Sequence, residues 1–264
     1  MNGVYLEVAK KSFQKRFVYR TNSYLNIFGA LILLLIQISL WSSLIGFNGN
    51  IDGISFQDMF NYIVINTVIL SLVQTNAGRV LAQKVRDGSI AIDFVRPINL
   101  KYYLFSEDIG DNMYRTLFCV LPVCIVSVII FGFKAPAGMY YLLMFILSMV
   151  SGVIIIYYIN YIFGLLSFWL KTSWYVSWYS NALFTLFGGT FVPIWFYPDF
   201  LRIISNVLPF RLVTFEPISI YLGKQTELGS VKVILYQLLW ISILIAVEKI
   251  VWKKAQDKII IQGG

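Results

Sequence analysis

Few residues in this chain are equipped for chemistry. Arg86-Asp87-Gly88-Ser89 puts a cation, a carboxylate, a glycine and a hydroxyl in one run, with Phe94, Arg96 and Pro97 soon after. Asp87 and Asp93 together could hold a metal for a lipid head-group transferase. That chemistry needs further carboxylates at helical spacing inside a membrane, and none follow. Gly223-Lys224 continues with Gln225 and lacks the upstream glycine of a phosphate-binding loop. His-Glu-x-x-His, Gly-x-Ser-x-Gly and Cys-x-x-Cys are missing, and there is no histidine at all. Histidine proton relays and histidine metal sites are thereby excluded. Cys119 and Cys124 are spaced so that they sit about 140° apart on a helix, which suits neither a disulfide nor a metal pair. A second group of residues lies further on: Gly188-Gly189, Phe191, Pro193, then Pro198, Pro209-Phe210 and Glu216-Pro217. Glu216 is a carboxylate in an apolar setting and needs a partner; Arg202 and Arg211 are nearest in sequence.

These residues must be positioned by membrane-embedded elements. The 264 residues are 58% hydrophobic and 13% charged, with mean hydropathy +0.74. Soluble domains average about 45–50% apolar and about 25% charged. The fold class is an all-α polytopic membrane protein. The net charge of +8 reflects basic loops and attraction to anionic lipid, because no segment can build a soluble nucleic-acid surface. No cleavable signal peptide is expected, since Met1 to Arg20 lacks an apolar core.

We expect one domain over residues 1–264 with spans at about 24–47, 58–77, 113–133, 140–170, 174–195 and 231–252. Val4 to Arg20 reads as an interfacial amphipathic helix on the inner leaflet, with Tyr5, Phe13 and Phe17 on its apolar face. Gly78 to about Asp111 is too basic to stay in lipid, where a central charge costs roughly 2.5–3.5 kcal/mol. Within it, Gln83 to Val95 forms a short helix weakened at Gly88 and barred from continuing by Pro97. Pro198 to Leu222 is too interrupted for one span and too apolar for a solvated loop, which suits a re-entrant pair of helices. Lys134, Arg202, Arg211, Lys224 and Lys232 fall on the outer side, and the other 16 of 21 basic residues on the inner. That bias places both termini in the cytoplasm. Asn66, Gln74, Asn160 and Asn181 are expected to hydrogen-bond between helices rather than to a substrate.

Together the two groups of residues resemble the permease subunit of an ABC-2 type exporter, in the six-span branch of about this chain's length. The matching pattern is a basic-x-Gly … Leu-x-Arg-Pro inner loop, with Phe94 at the leucine position. It continues with a Gly-x-x-x-Pro … Leu-Pro-Phe … Pro outer segment and the closing Ile261-Gln262-Gly263-Gly264. The resemblance implies a half-transporter in a bacterial plasma membrane. Two permease chains, the same or homologous, would work with two separate ATPase chains. The ATPases would hold the ATP-Mg, and this chain would bind no cofactor and catalyse no reaction. It implies export of a hydrophobic or amphipathic compound: a drug, peptide, lipid or glycan. The N-terminal helix and Arg86, Asp87, Gly88, Ser89, Phe94, Arg96 and Pro97 would meet the ATPase. Gly188, Gly189, Phe191, Pro193, Pro209, Phe210, Glu216 and Pro217 would close the exit. An accessory or immunity membrane protein, and an integral-membrane lipid enzyme, are the competing readings; co-purification with an ATPase separates them from the first.

Overall fold

The computed structural model describes residues 2–18, 20–46, 49–95, 97–170 and 174–262. The chain opens with α1 (Asn2–Val18) and α2 (Arg20–Ile45). A two-stranded hairpin follows, Asn50–Ile51 against Ile54–Ser55, turning on Asp52-Gly53, both at positive φ. The Ser55 side chain accepts from the Asp58 amide and so caps α3 (Phe56–Leu72). After a break at 73–76 come α4 (Ala77–Arg86) and α5 (Ile90–Val95). α6 (Leu100–Arg115) passes through a π-helical turn, Thr116–Val120, directly into α7 (Leu121–Phe131). The rest is α8 (Met139–Leu165), α9 (Ser167–Leu170), α10 (Trp174–Phe187), α11 (Asp199–Val207), α12 (Phe215–Tyr221) and α13 (Glu227–Gln262).

Among the described residues, five helices are long and apolar enough to cross a bilayer: Ser23–Ile45, Phe56–Arg86, Leu100–Phe131, Met139–Leu170 and Glu227–Lys258. A sixth is reached if the pair Asp199–Val207 and Pro209–Tyr221, bent by 75°, counts as one. Much of α2, α7, α8 and α13 exposes Leu, Ile and Val outward, including Leu35, Ile129, Leu147 and Leu235. Exposed apolar side chains on helices that are apolar all round are what lipid contact requires.

α8 and α13 run side by side in the same direction. The Tyr140 hydroxyl donates to the Glu227 carbonyl at one end, Gln237 donates to Ser148 in the middle, and Lys258 lies over the Trp169 ring at the other. α2, α3 and α7 share a second core around Leu34, Trp41, Phe60 and Val123. α4, α6, α8 and α13 share a third around Leu81, Leu104, Tyr161 and Ala255. One end of the molecule holds α1, α4, α5 and the C-terminal half of α13, here the basic end. The opposite end, here the hairpin end, gathers the β-hairpin, Lys134 and Lys224.

Several expectations change in detail. The third span was placed from Met113, but its helix begins at Leu100, because the polar stretch to Asp111 is carried by packing on α1. The helix expected over Gln83 to Val95 is two helices; Gly88 at φ 74° ends α4, a conformation that costs glycine little. The fifth span was placed over 174–195, yet α10 stops at Phe187, where Gly188-Gly189 begins an irregular stretch. α1 does not keep its aromatic stripe for lipid: Tyr5 packs on Tyr102, and Phe13 and Phe17 on Tyr114 and Phe118 of the α6–α7 helix. Arg96, Lys171, Gly263 and Gly264, like the Phe94 side chain, lie outside the described residues.

Candidate functional site

α4 is a rod with two different ends. Its lower end carries the Arg86-Asp87-Gly88 turn, all three residues exposed, with Arg86 paired to its neighbour Asp87 at 3.2 Å. Among the described residues nothing comes within 4 Å of a Cβ built on Gly88, so its requirement is the turn. Ser89 is half-buried and its carbonyl accepts from Ile92 as α5 starts. Lys84 and Asp93 clasp α4 to α5 at 2.6 Å, and Pro97 is exposed beyond them.

The upper end of α4 meets α3 at a break with neither proline nor glycine in it. Two side chains from α6 hold it open. Asp108 accepts from the Thr75 hydroxyl at 2.5 Å and the Asn76 amide at 3.1 Å, standing in for the N-cap that Asn76 does not supply. Asn112 donates to the Leu72 and Gln74 carbonyls at 2.8 and 2.6 Å, satisfying the end of α3. Free helix termini need such partners when water is excluded. Asp108 and Asn112 stand one turn apart on α6 and therefore share a face. Gly110 of the same helix lies against Ala9 of α1, and Asp111 accepts from Ser12 and pairs with Arg16. That bond raises the Arg16 guanidinium above its ordinary value, so α1 is fastened by a permanent charge. α4 itself seats on α8 at a backbone-to-backbone crossing. A Cβ on Gly78 would fall 2.2 Å from the Asn160 carbonyl oxygen, and one on Gly164 2.7 Å from the Gly78 Cα.

At the hairpin end, residues after α10 are held by hydrogen bonds to their carbonyls. Thr214 donates to Gly188 at 2.6 Å, Tyr62 to Gly189 at 2.6 Å, and Asn66 to Thr190 at 2.8 Å. Gly189 takes φ 74° there. Phe191 points outward and Pro193 is buried at the start of a 3-10 turn. The bent pair enters from this end, reaches Gly152 midway along α8 with Val213, and returns to it through α12, where Tyr221 bonds the Lys134 carbonyl. Pro209 and Phe210 are buried at the bend, and Pro217 inside α12. Glu216 is buried and pairs with Arg211, with Gln225 adding a bond at 3.0 Å. Of the two arginines nearest in sequence, Arg211 is therefore the partner; Arg202 turns to Asp199 and to the Trp195 and Tyr197 carbonyls. Asp58, buried, sits between Lys134 at 3.1 Å and Lys224 at 3.0 Å.

Between the two ends lies a cavity of about 640 Å³, walled by α2, α3, α8 and α10. Gln74, Asn76, Arg79 and Arg115 line it towards the basic end, and Asn66, Thr190 and Phe191 towards the hairpin end. All four amides expected to bond between helices line this cavity, and they differ. Asn66 bonds the Thr190 carbonyl and Gln74 accepts from Arg115, while Asn160 donates to Ile156 of its own helix. The cavity, and the role of Asp108 and Asn112, were missed from sequence. The polar run Gln74-Thr75-Asn76 was the one signal.

The family comparison agrees with this arrangement of broken helices around a cavity. No curated protein matches the chain. A family model described as ABC-2 family transporter protein matches residues 28–263, from within α2 to the end of α13. The chain is a multi-pass membrane protein that belongs to the ABC-2 transporter family, a transport subunit by that membership.

Proposed function

We propose that this chain is the permease half of an ATP-driven exporter, working as a pair of permease chains with two ATPase chains that bind ATP-Mg. The basic end faces the cytoplasm with both termini, as the bias of basic residues argues. The bent pair is re-entrant and closes the outer exit, its broken backbone tolerated because protein surrounds it. The transported compound is hydrophobic or amphipathic and passes through the cavity.

One observation carries this reading: α4 joins the two places that must communicate. Its first turns present Asn76 and Arg79 to the cavity, and its far end presents the exposed Arg86-Asp87-Gly88 turn. A rod of ten residues spans roughly 15 Å. An ATPase that grips the turn differently in two states can shift the cavity only by that difference, and Arg86 and Asp87 offer charge-assisted bonds for the grip. The test is reconstitution with the partner ATPase. Arg86→Ala and Gly88→Val should leave insertion and permease pairing intact, while ATP hydrolysis loses its link to efflux. Wild-type efflux from the double variant removes the turn from the mechanism.

A further inference from the structure

We propose that the cavity receives an amphipathic anion, with a phosphate or carboxylate head at Arg79 and Arg115 and a distal hydrogen-bond donor at Asn66 and Thr190. Its identity as cargo rests on the permease reading; its existence as a binding site rests on the cavity alone.

Charge comes first. Arg79 and Arg115 both line the cavity, and among the described residues its lining contains no aspartate or glutamate. Arg79 donates to the Asn76 side chain at 3.0 Å, and Arg115 to the side chains of Gln74 and, at 3.4 Å, Asn112. The nearest acids are engaged elsewhere: Asp108 by Thr75 and Asn76, Asp111 by Ser12 and Arg16. Each guanidinium has five N–H donors in a fork that fits carboxylate or phosphate. One or two amide bonds leave most of those donors open. Two cations on one wall, with most of their donors open, favour an anion there.

The far end supplies an independent observation. Asn66 and Thr190 are 1% and 4% exposed, and the Asn66 Oδ1 and Thr190 Oγ1 atoms have no hydrogen-bond partner. The Asn66 orientation is fixed, because only its Nδ2 can donate to the Thr190 carbonyl. Its oxygen is therefore left without a donor, and a buried acceptor stays costly until one reaches it. Leu33, Leu34, Leu70, Ile156 and Phe184 give the wall an apolar part, and Gln37, Thr67 and Asn181 add polar groups to it. A volume of this size suits a molecule of drug dimensions.

The test uses the full chain in phosphatidylcholine nanodiscs, without ATPase or nucleotide, so that it can succeed or fail independently of export. Calorimetric titration compares decyl phosphate, 10-hydroxydecyl phosphate, decyltrimethylammonium and inorganic phosphate. Both phosphate amphiphiles should bind saturably, the hydroxylated one about tenfold more tightly. Arg79→Gln and Arg115→Gln should each weaken both about tenfold, while Arg115→Lys, which keeps the charge, should lose less. Thr190→Val should remove only the advantage of the hydroxyl. Phosphatidylglycerol in the disc distinguishes the source of the anion. Competition points to a lipid head group, and its absence to a free single-chain amphiphile. The proposal is overturned if decyltrimethylammonium or inorganic phosphate binds as tightly as decyl phosphate. Unchanged affinity in the double arginine-to-glutamine variant overturns it too, and equal affinity for the two phosphate amphiphiles removes the distal site.

Discussion

The breaks at 73–76 and 188–190, two of the stretches of non-helical backbone inside this helical molecule, are held in different ways. The break at 73–76 is held by Asp108 and Asn112, which belong to α6, and α6 in turn carries α1 on the outside of the bundle. The stretch at 188–190 is held by Tyr62 and Asn66 of α3 and by Thr214 of the bent pair, all buried in the bundle. The first is therefore governed from the periphery and the second from the core. α3 touches both, ending at the first break and gripping the second. A displacement of α6 re-aims α4 directly, but reaches the hairpin end only if α3 moves as well.

That contrast can be broken most forcefully at the seat of α4. Gly78→Val has no room, because the Asn160 carbonyl that it would strike is backbone. Overpacking costs typically about 1–3 kcal/mol and here should reach the upper end or beyond. The thermal midpoint should fall sharply, read by thiol-reactive dye entering at the buried Cys119 and Cys124. A midpoint unchanged from wild type would mean that α4 does not rest on α8.

A sharper comparison sets Asp108→Ala against Tyr62→Phe. The alanine strands the Thr75 hydroxyl and the Asn76 amide, at about 1–3 kcal/mol for each buried group left unpaired. The phenylalanine removes one hydrogen bond to the Gly189 carbonyl, worth about 1 kcal/mol. Hydrogen exchange should rise at 73–77 but not at 188–190 in the first variant, and the reverse in the second. Protection lost at both places in both variants would merge the two breaks into one unit. The smallest effect belongs to Arg86→Ala, whose ion pair is exposed; stability should stay within about 0.5 kcal/mol of wild type by the same dye assay.

The sequence revealed what depends on composition and neighbours, and hid what depends on distant partners. Bilayer-length apolar runs, the interruption of 198–222 by three prolines, and the need of Glu216 for Arg202 or Arg211 are all local; the choice of Arg211 came from the structure. So was the weakness at Gly88, although its reason proved to be a left-handed turn. The break at 73–76 was not legible, because none of Val73, Gln74, Thr75 and Asn76 forbids helix. It exists because an aspartate and an asparagine more than 30 residues away satisfy its backbone. The pairing of Lys101 with Glu248, 147 residues on, was hidden for the same reason. The aromatic face of α1 was visible as a stripe, but the pattern cannot tell a lipid surface from another helix. The cavity was the least visible, because its wall is assembled from residues of α2, α3, α8 and α10 that lie far apart in sequence.

The docking of α1 on α6 also sets an order of assembly. Ser12 and Asp111 meet across 99 residues. At roughly 5–20 residues per second of synthesis, α1 waits about 5–20 s before its binding face on α6 exists. During that interval Tyr5, Phe13 and Phe17 have no protein to cover them, and a nascent chain with bare aromatics is open to misassembly. The adjacent membrane surface is the nearest shelter, and Lys10, Lys11 and Lys15 are placed to favour an anionic one. The helix would then lodge on the bilayer surface during translation and on α6 afterwards.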